Sequence, residues 1–159
     1  MKKAIIILAL IAMVVLPVAA KKSIGAVGLE LGQPTGVTFN YDLDDNWDGY
    51  ATVAFGLGGT SYVDIVAGGQ YKIAEFKIEK AKFDVNVGVQ GGAKVFFGDF
   101  NGVAVAVRGT GSVSYDWTWK EVGDFTVYLR MGLGYAIALS EIVAGGIDFA
   151  GALGLVYHL

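Results

Sequence analysis

The sequence predicts an all-β protein: an eight-stranded antiparallel up-and-down transmembrane β-barrel, preceded by a signal-peptide helix. Three observations support this fold class. Apolar and polar residues alternate with a period of two along most of the chain after residue 20. The 159 residues are 54% hydrophobic and only 17% charged, and they include 24 glycines. The chain begins with a short basic segment followed by an apolar run, as exported proteins do.

Charge and cysteine content exclude several classes of protein. The formal net charge is −3, which gives no basic surface for nucleic acid. The chain has no cysteine, so a disulfide framework, an iron–sulfur cluster, a thiolate zinc site and a cysteine nucleophile are all excluded. The apolar content also excludes intrinsic disorder. The length is that of one domain.

Residues 1–20 are predicted to be a cleaved signal peptide. Residues 1–3 are basic at Lys2 and Lys3, residues 4–16 form an unbroken apolar run, and small residues precede a cut after Ala20. The apolar run is shorter than the roughly 20 residues of a membrane-spanning helix. We expect a helix over residues 4–16 and a barrel domain over residues 21–159. An uncleaved N-terminal anchor is the alternative.

The remaining chain divides into eight segments with strand periodicity. In chain order they are 24–32, 36–43, 49–58, 62–73, 82–95, 103–117, 125–138 and 147–159. Clusters of Gly, Pro, Asn and Asp typical of turns occur at 33–36, 58–61, 98–102 and 145–146. Most segments reach the roughly 9–11 residues of a tilted spanning strand. Residues 75–80 fit either a strand extension or one short helical turn.

Either face of this sheet could form the inside of the barrel, and three features favour lipid outside. The apolar face is almost free of charge, and the polar face carries many small neutral groups. Aromatic residues also gather near strand ends, where a membrane protein places its interfacial ring. The predicted interfacial aromatics are Tyr41, Trp47, Tyr50, Tyr115, Trp117 and Trp119. The alternatives are a lipocalin-like soluble barrel and a sandwich core filled by these aromatics.

The polar face then supplies a network inside the barrel. Its predicted members are Glu30, Asp64, Asp84, Gln90, Lys94, Arg108, Asp116, Tyr128, Arg130 and Asp148. We expect Arg108 and Arg130 to point inward and each to contact an acid, because a charge in lipid is unfavourable. Gln90 is the expected cross-strand neighbour of Arg108. Eight strands enclose an interior that side chains can fill, so no sustained conductance is expected.

Two motifs resemble those of a known family. The run Gly28-Leu29-Glu30-Leu31-Gly32-Gln33-Pro34-Thr35-Gly36, with the alternating strand after it, resembles the first hairpin of a poorly characterised family of small bacterial outer-membrane β-barrel proteins. Gly154, Tyr157 and Leu159 are similar to the C-terminal outer-membrane insertion signal, although Leu159 stands where Phe or Trp is usual. The resemblance implies the fold, an outer-membrane location and insertion by the barrel-assembly machinery. It implies no activity.

The sequence contains no catalytic or metal-binding motif. His158 is the only histidine, and no spacing brings a nucleophile to it. The acidic residues between 42 and 48 lack the ligand order and final Glu of a calcium loop. We therefore expect no enzyme activity and no cofactor. The predicted function is a structural or surface-interaction role as a porin-like, monomeric barrel that contacts outer-membrane lipid. A narrow channel, a lipid-contacting barrel and a soluble periplasmic binder are the alternatives.

Overall fold

A computed structural model describes residues 25–56, 60–98, 102–139 and 143–159. Within these ranges the chain forms eight antiparallel strands and no helix, and the strands close one barrel in chain order with β1 beside β8. The predicted all-β fold with eight antiparallel strands is confirmed. No helix in these ranges is long and apolar enough to cross a membrane. The expected helix over 4–16 and the cut after Ala20 lie outside the described residues.

The eight strands are β1 Ala26–Gly32, β2 Gly36–Asp42, β3 Trp47–Gly56, β4 Thr60–Ile78, β5 Ala81–Gly98, β6 Gly102–Trp119, β7 Gly123–Leu139 and β8 Val143–His158. Residues 145–146 lie in a strand and not in the predicted turn, because the eighth strand begins four residues earlier than predicted. The fourth strand ends five residues later than predicted. The other strand bounds lie within three residues of the predicted ones. The ambiguous segment 75–80 is mostly a strand extension, because β4 continues to Ile78 before a turn at Glu79 and Lys80. Glu79 occupies the left-handed region in this turn, with φ 53°.

The two faces of the barrel follow directly from the strand registers. Arg108 lies opposite Gln90 on β5 and Gly134 on β7, and Gly134 lies opposite Asp148 on β8. Side chains in this row share one face, because residues paired across strands point to the same side of a sheet. One bulge, between Lys72 and Ala74, interrupts the alternation on β4.

The wall of the barrel has unequal height. One end of the barrel, which we call the terminal end, carries Gly25, Leu159 and the turns at 43–46, 79–80 and 120–122; the opposite end is the loop end. β1 and β2 have 7 residues each, whereas the strands from β4 to β8 have 16 to 19. The wall is therefore lowest where β1 turns into β2.

This low point leaves two strand edges without a partner. β8 pairs with β1 only from Ala152 onward, so its residues 143–150 have no partner strand on that side. β3 pairs with β2 only as far as Ala54, so Phe55 and Gly56 have none there. We call the opening between these two edges, above the β1–β2 turn, the wall gap.

Candidate functional site: the polar interior of the barrel

The inner face of the barrel carries the polar side chains that the alternation assigned to it. The structure places these predicted network residues on that face: Glu30, Asp64, Asp84, Gln90, Lys94, Arg108, Asp116, Tyr128, Arg130 and Asp148. They form separate layers along the barrel axis rather than one connected network. Each layer joins residues that are far apart in the chain.

The central layer is built around Arg130. This side chain is 4% exposed, and its Nη1 lies 3.3 Å from Oε2 of Glu30, which is 2% exposed. Tyr128 donates its hydroxyl proton to the same carboxylate oxygen at 2.6 Å, and Thr52 donates to it at 3.4 Å. Glu30 thus receives one charged and two neutral donors, which compensate for the loss of water around a buried carboxylate.

Two tyrosine rings pack against the guanidinium group of Arg130. Its Cζ lies 3.4 Å from the ring centroid of Tyr50 and 4.6 Å from that of Tyr128. Tyr50 donates its hydroxyl proton to Oε1 of Gln90 at 2.9 Å. The cation therefore has an ion pair and two aromatic contacts, each favourable where water is excluded. We call Glu30, Tyr50, Gln90, Tyr128 and Arg130 the central plug.

Glycines on the neighbouring strands make room for these tyrosine rings. Tyr128 lies opposite Gly154, and Tyr50 lies opposite Gly68. A methyl group at Gly154 would overlap the Tyr128 ring, and one at Gly68 would lie 2.6 Å from the hydroxyl of Tyr50. A side chain at either glycine would push a ring away from Arg130.

A second charged layer lies towards the loop end. Arg108 pairs with Asp148 through Nε and Oδ2, and Lys94 pairs with Asp64 at 3.2 Å between Nζ and Oδ2. Both arginines thus contact an acid from the expected set, and Gln90 is the direct cross-strand neighbour of Arg108. The sequence predicted that acids would be near, but it did not show which acid each arginine would choose.

An open cavity of about 220 Å³ lies at the terminal end. Its lining includes carboxylates of Asp42, Asp48 and Asp84, together with the side chains of Lys72 and His158. Lys72 binds Asp84 at 2.8 Å between Nζ and Oδ2. The cavity ends at the central plug, because the Tyr128 side chain belongs to both.

The other two predicted network residues, Asp84 and Asp116, line this cavity away from the plug. Asp116 accepts a hydrogen bond from Thr126, whose hydroxyl also lies 2.7 Å from Nε2 of His158. Neither Asp84 nor Asp116 is paired with Arg108 or Arg130. Across the described strands and turns, no group of three or more His, Asp or Glu side chains is arranged to hold a metal ion.

The predicted aromatic ring is largely where the alternation put it, with one error. Outward-facing rings contact one another near the terminal end, in the pairs Trp47–Tyr71, Phe83–Tyr115, Trp117–Phe125 and Phe125–Tyr157. Trp119 is also exposed there. The assignment of Tyr50 to this ring is wrong: it is 1% exposed and shares the inner face with Thr52. Its spacing of two from Thr52 was the signal that could have found it.

The remaining predicted residues belong to the outer wall and the chain end. Tyr41 faces outward but is buried against Ala51 and Ala67 on the neighbouring strands. Of the three insertion-signal residues, Gly154 underlies the Tyr128 ring and Tyr157 joins the aromatic contacts. Leu159 follows β8, is exposed, and donates its backbone N–H to the carbonyl of Gly25.

Three buried side-chain atoms in the centre of the barrel have no hydrogen-bond partner in the protein. They are Nε and Nη2 of Arg130 and Oγ1 of Thr110. Buried polar atoms of this kind are normally satisfied by internal water. The interior can therefore bind water and hold charge, and the hydroxyl of Thr126, which lies against Nε2 of His158, also donates to Asp116. Comparisons with family models, curated proteins and solved structures give no match.

Proposed function

We propose that the protein is a small bacterial outer-membrane barrel with a structural or surface-interaction role and a closed polar interior. The observation that carries this proposal is the chemistry of the outer face. No outward-facing position that the structure describes on the eight strands carries a charged residue. Large apolar side chains on this face are exposed: Leu133 is 62% and Val107 69% exposed.

An exposed apolar surface of this extent is unusual for a protein surrounded by water. In a bilayer the same surface is favourable, whereas one Arg or Lys near the midplane would cost about 2–4 kcal/mol. Below the wall gap, closure of the sheet also pairs the backbone groups that lipid could not bind. A soluble lipocalin-like barrel would need the opposite arrangement, with its charges outside. The resemblance of the first hairpin to small outer-membrane barrels agrees with this proposal.

The connections at the loop end support a structural rather than an adhesive role. By the strand bounds they comprise 33–35, 57–59, 99–101 and 140–142, only three residues each. If the N-terminus lies in the periplasm, these connections face outward and offer little surface to a partner.

Expression of the full chain with its leader in a Gram-negative host is expected to yield protein in the outer-membrane fraction. Unboiled samples should migrate differently from boiled ones on detergent gels, because a closed barrel resists unfolding by detergent. Recovery of the protein in the soluble periplasmic fraction, with identical mobility before and after boiling, would refute the proposed location.

Pure refolded protein in a planar bilayer is expected to give no sustained conductance. The central plug occupies the axis of the barrel with Arg130, which is 4% exposed, and with two tyrosine rings. The matched measurement is the Arg130→Ala variant, in which removal of the side chain opens the plug and brief conductance steps should appear. Stable single-channel steps from the wild-type protein would favour the channel alternative.

A further inference from the structure

Small side chains line part of the interior at the loop end, among the residues that the structure describes. Above the Arg108–Asp148 pair, β6, β7 and β8 place only small residues on the inner face: Ala104, Ala106, Ala136, Ala138, Ala144 and Gly146. A Cβ atom added at Gly146 would meet nothing within 4 Å. An eight-stranded barrel is wide enough to be filled by large side chains or to hold one small ligand. Small residues here leave the second possibility open.

This space, which we call the upper chamber, has a defined floor and far wall. Its floor is the charged layer in which Arg108 pairs with Asp148 and Lys94 with Asp64. Its far wall carries the rings of Tyr62 and Phe96, whose centroids are 6.2 Å apart. Each charge in the floor is paired, so the floor presents no net charge to an ion. The other described residues of the lining are apolar apart from the hydroxyl of Tyr62.

The upper chamber opens sideways through the wall gap. The side chains on the borders of the gap are large, apolar and bare: Ile147 is 85% exposed, Phe55 62% and Leu31 61%. They are continuous with the apolar outer face of the barrel. Asp148 lies on the same border of β8, but its side chain faces inward and is paired with Arg108. A hydrocarbon chain that passes above this pair reaches the chamber past apolar side chains.

We propose that the upper chamber binds one acyl chain of a membrane phospholipid, which enters from the bilayer through the wall gap. This inference rests on the proposed membrane location. The chain lies against the alanines of β6 and β7 and ends above the ion-pair floor, while the headgroup stays outside the wall. The acyl chain gains no hydrophobic energy by leaving the bilayer, which is itself hydrocarbon. Binding is favourable because the chain covers the alanine surface of the chamber, which water would otherwise contact.

The test uses the wild-type barrel in nanodiscs of phosphatidylethanolamine and phosphatidylglycerol, followed by native mass spectrometry after release into detergent. The wild-type protein is expected to retain one phospholipid. Ala106→Phe places a ring inside the chamber and should lower this occupancy by about tenfold. Val107→Phe is the matched control, because it adds the same ring one residue away on the outer face and should leave occupancy unchanged.

A second variant guards against failure of Ala106→Phe to fold. Gly146→Leu fills space that the structure shows to be empty, and it should also displace the lipid. Retention of lipid by both folded variants at the wild-type level overturns the inference, as does a wild-type protein that retains none. If that lipid-free wild type came from the outer membrane, the proposed function would still stand. A soluble periplasmic wild type would instead overturn the proposed function, and the phospholipid source with it.

Discussion

Replacement of Glu30 by glutamine is expected to lower the free energy of unfolding by about 3–5 kcal/mol, the usual cost of removing one partner from a buried ion pair. Glu30 is 2% exposed and is the only carboxylate within ion-pair distance of Arg130 in the described part of the chain. The amide keeps the shape of the side chain but leaves the guanidinium charge uncompensated. The loss of unfolding free energy is measured by equilibrium urea titration of the barrel in detergent. The folded fraction at each urea concentration is read from the different gel mobilities of unboiled folded and unfolded protein.

A surface pair and a double variant provide the controls for this prediction. Lys82→Gln removes an exposed partner of Glu75 and should change stability by less than about 1 kcal/mol. The double variant Glu30→Leu with Arg130→Met removes both charges and should recover part of the loss, because no unpaired charge is left in the interior. An unchanged unfolding midpoint for Glu30→Gln would show that water already screens this pair.

Gly154→Ala is expected to destabilise the barrel by about 1–3 kcal/mol, as overpacking of a filled interior does. The new methyl group would overlap the ring of Tyr128, which is 5% exposed. The ring would have to leave its position, and its hydrogen bond to Glu30 and its contact with Arg130 would weaken together. The same urea titration reports the loss of stability.

Gly146→Ala is the matched control for this substitution. Gly146 lies on the same strand and the same inner face, yet a Cβ atom there meets nothing within 4 Å. Gly146 lies on the β8 edge that has no partner strand beside it, whereas Gly154 is paired on both sides, so a second comparison is needed to isolate the Tyr128 contact. In a Tyr128→Ala background, Gly154→Ala should cost almost nothing. Equal effects of the two glycine substitutions in the wild-type background would mean that Tyr128 moves aside freely.

The strands and their two faces could be predicted because apolar and polar residues alternate with a period of two wherever one face of the sheet carries no charge. Arg108 and Arg130 could be placed inside by their phase alone. Their partners could not be chosen from sequence, since that choice depends on which residues of different strands meet across the interior. Glu30 and Arg130, for example, are joined through the closure of β8 onto β1.

Tyr50 shows where the sequence argument failed. Its position near a turn suggested an interfacial aromatic, although its phase with Thr52 pointed inward. The decisive feature is on another strand: Gly68 leaves room for the ring on the inner face. The wall gap could not be predicted from the sequence either. Two short strands leave an opening only when the strands on both sides of them extend further along the barrel. Both features depend on contacts between elements, which a single strand does not specify.

The bulge on β4 shows how the inward and outward alternation of a strand depends on its exact number of residues. Even-numbered residues face inward on β4 as far as Lys72, but after the extra residue Ile73 the inward position opposite Asp84 belongs to Glu75. Loss of one residue within any other strand would turn the rest of that strand inside out and move its polar side chains to the apolar outer face. Ile73 is therefore the position where length polymorphism is most readily absorbed. A library of single-residue deletions should show tolerance there and in the turns, and intolerance in the body of the strands.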